Sequence, residues 1–200
     1  KDRVVRKEGA PQPERQRVPL RVWAHPGGVV KGWPVSTGVP FAQGMLDAPE
    51  QVRLLDASGR EVPCQKVVRS RWTKGGSVRW LGLDFDAALG ENGTEYAVEF
   101  GAKVSASATP AAPLSLTDGA DAIAVNAGRL KFLVRKRGFN LIDDVSLDGN
   151  PVLKQSAAGG PFLVDHEGTI YRTNLDPAPA VVVEEQGVMK AIVRVESWYV

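Results

Sequence analysis

The sequence predicts an all-β protein built from two domains. Apolar and polar residues alternate with a period of two in most segments, and no window has a convincing helical period. Glycine (21 residues) and proline (14 residues) separate these segments. Alternation is typical of half-buried strands, and Gly and Pro mark the turns between them. A length of 200 residues suits one large or two small domains.

The stretch 65–100 predicts a three-stranded antiparallel meander. Gly75-Gly76 and Asn92-Gly93 are typical of tight hairpin turns, because glycine adopts positive φ without steric cost. In the second strand one face is predicted to point into the core, and it carries Leu81, Leu83 and Phe85. Val78, Trp80, Gly82 and Asp84 are predicted to lie on the opposite face. In the third strand Tyr96, Val98 and Phe100 are predicted to face inward, with Glu95, Ala97 and Glu99 outward.

The residues before this meander predict a mobile arm and further strands. Residues 1–17 are charged, contain prolines and lack periodicity, so they are predicted to form the arm. Val18, Leu20 and Val22 predict the first strand. Residues 29–46 are rich in Gly and Pro and predict a shaped loop or an edge strand. Val52–Leu55 predicts another strand, and 61–65 is predicted to run back beside it.

Residues 105–113 are small residues and prolines without charge, which is typical of an interdomain linker. The domain boundary is predicted near Pro110. Beyond it the pattern predicts further strands, at 123–125, 130–134, 139–147, 162–164, 170–171, 181–185 and 188–200. The last strand reaches Val200 without a closing turn, so we expect this second domain to be incomplete in the chain.

Composition excludes several classes of protein. Twenty-five basic and 23 acidic residues give a net charge of +2, which argues against a nucleic-acid-binding protein. A single cysteine, Cys64, excludes an intramolecular disulfide and a multi-cysteine zinc site. No apolar run approaches the roughly 18 residues of a membrane span. No nucleic-acid partner, membrane association, metal or cofactor is therefore expected.

Classical catalytic and metal patterns are weak in this chain. His25 and His166 are far apart in sequence. Asp143, Asp144 and Asp148 lack the spacing of a calcium loop, and turn aspartates account for them better. Cys64 has no neighbouring histidine or helix N-terminus, and it is predicted to be an unreactive structural thiol. Asp84 and Asp86 share a strand face, so an acid/base pair is conceivable, but water-facing strand acids are the ordinary case.

Aromatic residues are the most usable functional signal. Sugars stack their C–H faces on exposed rings, and planar polar side chains bond their hydroxyl groups. Aromatic side chains near turns, together with an imidazole and a guanidinium that fall within seven positions of each other, are therefore candidate carbohydrate-binding residues: Trp33, Trp72, Trp80, His166, Tyr171 and Arg172. The competing interpretation is that these rings close the ends of a barrel and the edges of a sandwich.

Residues 33–44, WPVSTGVPFAQG, resemble the opening motif of the N-terminal RIFT barrel of exo-rhamnogalacturonan-lyase-like proteins. Further segments match in the same order: 52–65, Arg71-Trp72 and 76–81. Residues after the linker resemble, more weakly, the start of the central β-sandwich of those proteins: 127–132, 139–141 and 183–187. The resemblance therefore implies a RIFT-type barrel over 18–104 and an incomplete antiparallel β-sandwich over 114–200.

This resemblance also implies a function. It implies an exported protein, secreted or periplasmic, that acts on acidic polysaccharides of the pectin or rhamnogalacturonan type by β-elimination, with a helical toroid downstream. The catalytic groups are expected in that helical part, so no catalytic residue is assigned here. The chain is expected to be a non-catalytic scaffold and one wall of the substrate cleft.

Two other functions stay open. A free-standing carbohydrate-binding or cell-surface β module would explain the same aromatic residues. Flavin-reductase domains share the barrel type, but Arg71-Trp72-Thr73 departs from their Arg-x-Tyr-Ser/Thr strand.

Overall fold

A computed structural model of the chain describes residues 12–23, 28–111, 114–154 and 159–200. The prediction of an all-β protein is confirmed, because within these residues the helical structure is limited to two 3₁₀ turns, Pro49–Gln51 and Thr173–Leu175. The chain divides into two compact units, Lys1–Pro110 and Ala111–Val200. The predicted arm and linker lie partly outside the described residues, at 1–11 and 112–113, and Gln16 and Arg17 already belong to the first strand.

The N-terminal unit is built from two antiparallel sheets. Its described strands are β1 (Gln16–Val22), β2 (Val30–Pro40), β3 (Val52–Asp56), β4 (Glu61–Val62), β5 (Gln65–Arg71), β6 (Val78–Leu89) and β7 (Thr94–Phe100). One sheet has the order β1-β7-β3-β4 and the other β2-β6-β5. The Gly-rich segment 29–46 is mainly an edge strand, β2, which pairs with β6 from Val30 to Pro40 with a break in register between Val30 and Trp33.

Alternation along the strands produces the core of this unit. Leu81, Leu83 and Phe85 of β6 are buried as predicted and pack with Val98 and Phe100 of β7. Gly75 and Gly93 adopt φ of +74° and +85° at the two hairpin turns. Burying one side chain of this size stabilises a fold by about 1.5–3 kcal/mol, so this cluster is the main source of stability in the unit.

Val78 departs from its predicted face, and Asp84 and Glu99 lie on their predicted faces but are more buried than expected. Val78 is fully buried although Trp80 is exposed, because an extra residue in β6 shifts the register between them. Asp84 is only 4% exposed, so it is not a water-facing strand acid. Glu99 points away from the apolar core as predicted, but arginine side chains cover it completely.

The C-terminal unit contains a five-stranded sheet and two hairpins. Its described strands are β8 (Ser115–Asp118), β9 (Ala122–Ala127), β10 (Leu130–Arg135), β11 (Asp143–Leu147), β12 (Asn150–Leu153), β13 (Phe162–Val164), β14 (Ile170–Arg172), β15 (Ala180–Gln186) and β16 (Ala191–Glu196). The sheet order is β12-β11-β10-β9-β8. Val183 and Val193 of the β15–β16 hairpin pack against Ile123 and Val134 of the sheet, giving two layers.

Two predicted strands of this unit are shorter than expected. The strand predicted over 139–147 begins only at Asp143, since Leu141 adopts φ +83° and interrupts extended structure. The strand predicted over 188–200 is limited to Ala191–Glu196. An apolar cavity of about 610 Å³ opens between the sheet and the hairpin, lined among others by Leu116, Phe132, Phe139 and Val193.

Candidate functional site

The six candidate sugar-binding residues fall into two groups. Trp33, Trp72 and Trp80 belong to the β2-β6-β5 sheet of the N-terminal unit or to the turn beside it. His166, Tyr171 and Arg172 belong to the β13–β14 hairpin of the C-terminal unit.

Two bulges shape one end of the β2-β6-β5 sheet. Val68 pairs with Leu81 and Ser70 with Trp80, so Arg69 is an extra residue in β5. Ser70 pairs with Trp80 and Arg71 with Val78, so Arg79 is an extra residue in β6. Bulges bend a strand and redirect side chains. Both extra residues are arginines, and both are exposed on the surface of the sheet.

Trp80 and Arg69 lie on the outer face of this sheet over a pair of opposed glycines. Gly38 pairs with Gly82 across β2 and β6. A Cβ at Gly38 would lie 2.2 Å from Nε1 of Trp80, and a Cβ at Gly82 would lie 2.9 Å from Nε of Arg69. The indole and the guanidinium therefore occupy space that only glycine leaves open. Trp80 remains 44% exposed, so part of its ring is available to a ligand.

Trp72 lies at the same end of the sheet and is fixed by its neighbours. Its Nε1 donates a hydrogen bond to the carbonyl oxygen of Phe41 at 3.0 Å. The guanidinium carbon of Arg79 lies 5.1 Å from the centroid of the Trp72 ring, within the range of a cation–π contact. The backbone N–H of Phe41 in turn donates to the carbonyl of Arg79, which ties these residues together. We call Arg69, Trp72, Arg79 and Trp80 the bulge surface.

A buried polar pair continues the same face of the sheet. The hydroxyl of Ser36 donates to Oδ1 of Asp84, and these two residues are cross-strand partners. Gln65, which is also buried, pairs with Asp84 from the other side. A carboxylate with little exposure needs such hydrogen bonds to offset its lost hydration. Asp84 is therefore held in place next to Gly82 and the bulge surface.

Trp33 does not contribute to the bulge surface. It pairs with Ala87, and it shares with Val35 the face of β2 that turns toward the core. Pro40, the partner of Trp80, is seven positions further along the strand, which corresponds to about 23 Å. Trp33 is 45% exposed. Trp33 and Trp80 thus present equally exposed indoles in different places.

The three candidates of the C-terminal unit do not converge. Tyr171 pairs with Leu163 and Arg172 with Phe162, so the tyrosine and arginine side chains point to opposite faces of the hairpin. The Tyr171 hydroxyl donates to Asp165, and the Arg172 guanidinium lies 5.6 Å from the Phe162 ring centroid. The side chain of His166 is 89% exposed in the turn. These side-chain contacts of Tyr171 and Arg172 lie within the hairpin, and the backbone of Arg172 exchanges two hydrogen bonds with Val200.

The acidic residues with displaced pKa values support the fold of the N-terminal unit. Burial alone would raise the pKa of Glu99, but hydrogen bonds from Arg17 and Arg53 at 2.7 and 2.6 Å outweigh it and hold this pKa low. Burial would likewise raise the pKa of Glu61, but hydrogen bonds from the backbone amides of Ala108 and Ser107 outweigh it and hold this pKa low. Both carboxylates thereby connect strands and loops.

Cys64 has the character of a structural thiol. Burial raises its pKa to about 12, while nearby Lys66 opposes and Asp84 reinforces this shift. Its Sγ donates to the carbonyl of Gln65 at 3.4 Å. A thiol that stays protonated is a poor nucleophile.

Within the described ranges no cluster of three or more His, Cys, Asp or Glu side chains is arranged to hold a metal ion. His25 lies outside those ranges. No described helix is long and apolar enough to cross a bilayer.

Sequence reasoning missed four residues of this site: Arg69, Arg79, Gly38 and Gly82. The arginines stood out only as cations among others, Gly38 lay in the segment predicted as a loop or edge strand, and Gly82 was placed on a strand face without a reason for its being glycine. The pairing of Gly38 with Gly82 joins residues 44 positions apart, so no local pattern reveals it. A glycine inside an alternating strand, with no turn residues around it, was the available signal of a close approach by another group.

Comparison with known proteins adds a family to this geometry. The family model described as the PcRGLX-like N-terminal RIFT barrel domain matches residues 18–101. The predicted resemblance to exo-rhamnogalacturonan-lyase-like proteins is confirmed for this part of the chain. The chain is also similar to the Bacillus subtilis (strain 168) protein named "Uncharacterized protein YetA", with 22% identity over 183 residues. That match covers 83% of this chain and 19% of YetA, so the chain spans about a fifth of its relative.

Proposed function

Residues 18–101 form an N-terminal RIFT barrel domain of the rhamnogalacturonan lyase-like type, and from this premise we propose that the chain is the β-structured scaffold of an exported polysaccharide lyase-like protein. Its glycan would contain uronic acid residues, as pectin and rhamnogalacturonan do. The two units would support the substrate cleft and supply one of its walls. The barrel match is the observation that carries this proposal.

The contacts of the acidic groups support a scaffold role. Glu99 joins β7 to Arg17 of β1 and Arg53 of β3, and Glu61 joins β4 to the loop at Ser107. A general base for β-elimination must reach a sugar C–H. Both oxygens of each of these carboxylates instead accept hydrogen bonds from groups within the unit.

The proposal is tested by measuring binding and turnover on the 200-residue chain. Polygalacturonate and rhamnogalacturonan are titrated by calorimetry, with a neutral glucan as control. Turnover is followed by the ultraviolet absorbance of the C4–C5 double bond that β-elimination creates. We expect binding to the acidic glycans without turnover.

Each contrary result has a separate meaning. Turnover by the chain alone would overturn the non-catalytic role. Equal binding of neutral and acidic glycans would favour a general carbohydrate-binding module, which the exposed indoles at Trp33 and Trp80 also suit. Binding to none of them would overturn the glycan assignment. Export is tested by fractionating cells of the source organism and probing each compartment with an antibody.

A further inference from the structure

We propose that the bulge surface binds one uronic acid residue of a glycan, with the Trp80 indole against the apolar face of the sugar ring and Arg69 at its carboxylate. This inference rests on the proposed function and gives it a location and a chemical class.

The exposed part of Trp80 provides a stacking surface. The indole lies across Gly38 and occupies the space of a missing Cβ. One part of the indole thus packs against the backbone of Gly38, and 44% of the Trp80 residue stays exposed to solvent. An aromatic ring that is already held in one position loses little conformational entropy when a ligand stacks on it. The C–H groups of a pyranose ring suit such a surface.

The charge of this region favours an acidic ligand. From Arg69 to Trp80 the sequence is RSRWTKGGSVRW, with four cationic side chains and no acidic one. Arg69 lies over Gly82, the direct cross-strand partner of Gly38, so its guanidinium is next to the indole. A guanidinium pairs with a carboxylate through two parallel hydrogen bonds, which makes arginine well suited to a uronate.

The surrounding contacts fix this arrangement before a ligand binds. Trp72 is held by its hydrogen bond to Phe41 and by Arg79 on its ring. Asp84, held by Ser36, follows Gly82 on the same face. The two bulges place both arginines beside Trp80. Several positioned polar groups around an apolar surface are typical of a ligand site.

The test compares variants in calorimetric titrations with a short oligogalacturonide and with its methyl ester. Trp80→Ala and Arg69→Gln are each expected to weaken binding of the acid about tenfold, the loss of one stacking contact or one charged pair. Trp33→Ala is the matched control, since that indole is exposed to the same degree (45% against 44%) at the other end of the sheet. It should bind like the unmodified chain.

The methyl ester separates the two contacts. Trp80→Ala should weaken binding of acid and ester alike, whereas Arg69→Gln should weaken only the acid. An equal effect of Arg69→Gln on both ligands would overturn the pairing of Arg69 with the carboxylate. Trp80→Phe keeps a ring and should lose less affinity than Trp80→Ala; it also serves if the alanine variant does not fold.

The outcomes distinguish this inference from the proposed function. If the chain binds the oligogalacturonide and neither Trp80→Ala nor Arg69→Gln changes the affinity, the location is wrong and the glycan assignment stands. If the unmodified chain binds neither acidic nor esterified ligand, both are wrong.

Discussion

Trp80 and Gly38 show, at the scale of single residues, how one side chain limits what its cross-strand neighbour can be. Gly38 does not adopt positive φ, so its backbone alone would accept alanine. The indole of Trp80 occupies the place of the Cβ. The glycine is therefore required by packing and not by conformation.

We expect Gly38→Ala to destabilise the protein by about 1–3 kcal/mol, the usual cost of overpacking. Chemical denaturation followed by circular dichroism measures this change. In the Trp80→Ala background the same substitution should cost almost nothing, because the indole is gone. An equal cost in both backgrounds would show that the contact is not the reason for the glycine.

Cys64 should be inert to alkylation at about pH 8 in the folded protein and reactive once the protein is unfolded. Burial raises its pKa to about 12 from 9.0, so almost no thiolate is present at that pH. The rate of reaction with a chromogenic disulfide, with and without denaturant, checks this.

The same shift makes stability depend on pH in alkaline solution. Between 9.0 and about 12 the folded state keeps a proton that the unfolded state loses, so stability should fall as pH rises through this window. Cys64→Ala should remove this part of the dependence. An unchanged alkaline profile in that variant would assign it to other groups.

At the scale of secondary-structure elements, Glu99 joins the three strands of the β1-β7-β3 sheet. It lies opposite Arg17 on one side and Arg53 on the other, and it is fully buried beneath them. A buried carboxylate that accepts charged hydrogen bonds from two strands stabilises their register as well as the fold.

Glu99→Gln should destabilise the protein by about 2 kcal/mol, because two arginines lose a charged partner in a buried place. Arg17→Ala should cost less than about 1 kcal/mol, since its side chain is 58% exposed. Denaturation midpoints of both variants test this order. The reverse order would contradict the role given to Glu99.

Glu99 also predicts a loss of stability in acid. Its pKa in the folded state is below the ordinary 4.5. Its contribution is therefore complete above that pH and is lost as the pH falls through the folded value. The acid dependence should be shallower in the Glu99→Gln variant, and thermal unfolding at several pH values measures the slope.

Elements were predictable from sequence wherever local chemistry determines them. The turns at Gly75 and Gly93 and the core face of Leu81, Leu83 and Phe85 were predicted, since positive φ and alternation are local properties. The two bulges were not, because an extra residue is defined only against its partner strand. For the same reason the sequence made Trp80 a candidate sugar-binding residue but did not place Arg69 beside it.

At the scale of the whole molecule, the two units differ in the size of their cores. In the described parts of the chain, the N-terminal cluster contains 14 buried apolar residues and the C-terminal cluster contains five. The C-terminal unit also has the apolar cavity between its sheet and the β15–β16 hairpin. Less buried apolar surface gives less stabilisation.

We expect hydrogen exchange to be faster in β8–β12 than in β3, β6 and β7. Local opening needs less free energy where few apolar contacts are lost. Exchange of backbone amides, measured peptide by peptide with mass spectrometry, tests this, and the exposed hairpin β13–β14 serves as an internal reference for fast exchange. Equal protection of both units would show that buried area does not set their stability.

The two bulges in β5 and β6 have opposite effects on strand alignment. Arg69 is an extra residue in β5 and Arg79 is an extra residue in β6. The two register shifts cancel, so beyond the bulges Arg71 and Val78 pair in the original register. Strict alternation from the outward-facing Trp80 would point Val78 outward as well, and the extra residue Arg79 is what turns Val78 into the core. Removing Arg69 and Arg79 together would leave the pairing of β5 with β6 in register and give a hairpin without bulges and with two fewer cations. Paired insertions of this kind can therefore change the charge of the sheet surface without changing which residues face the core.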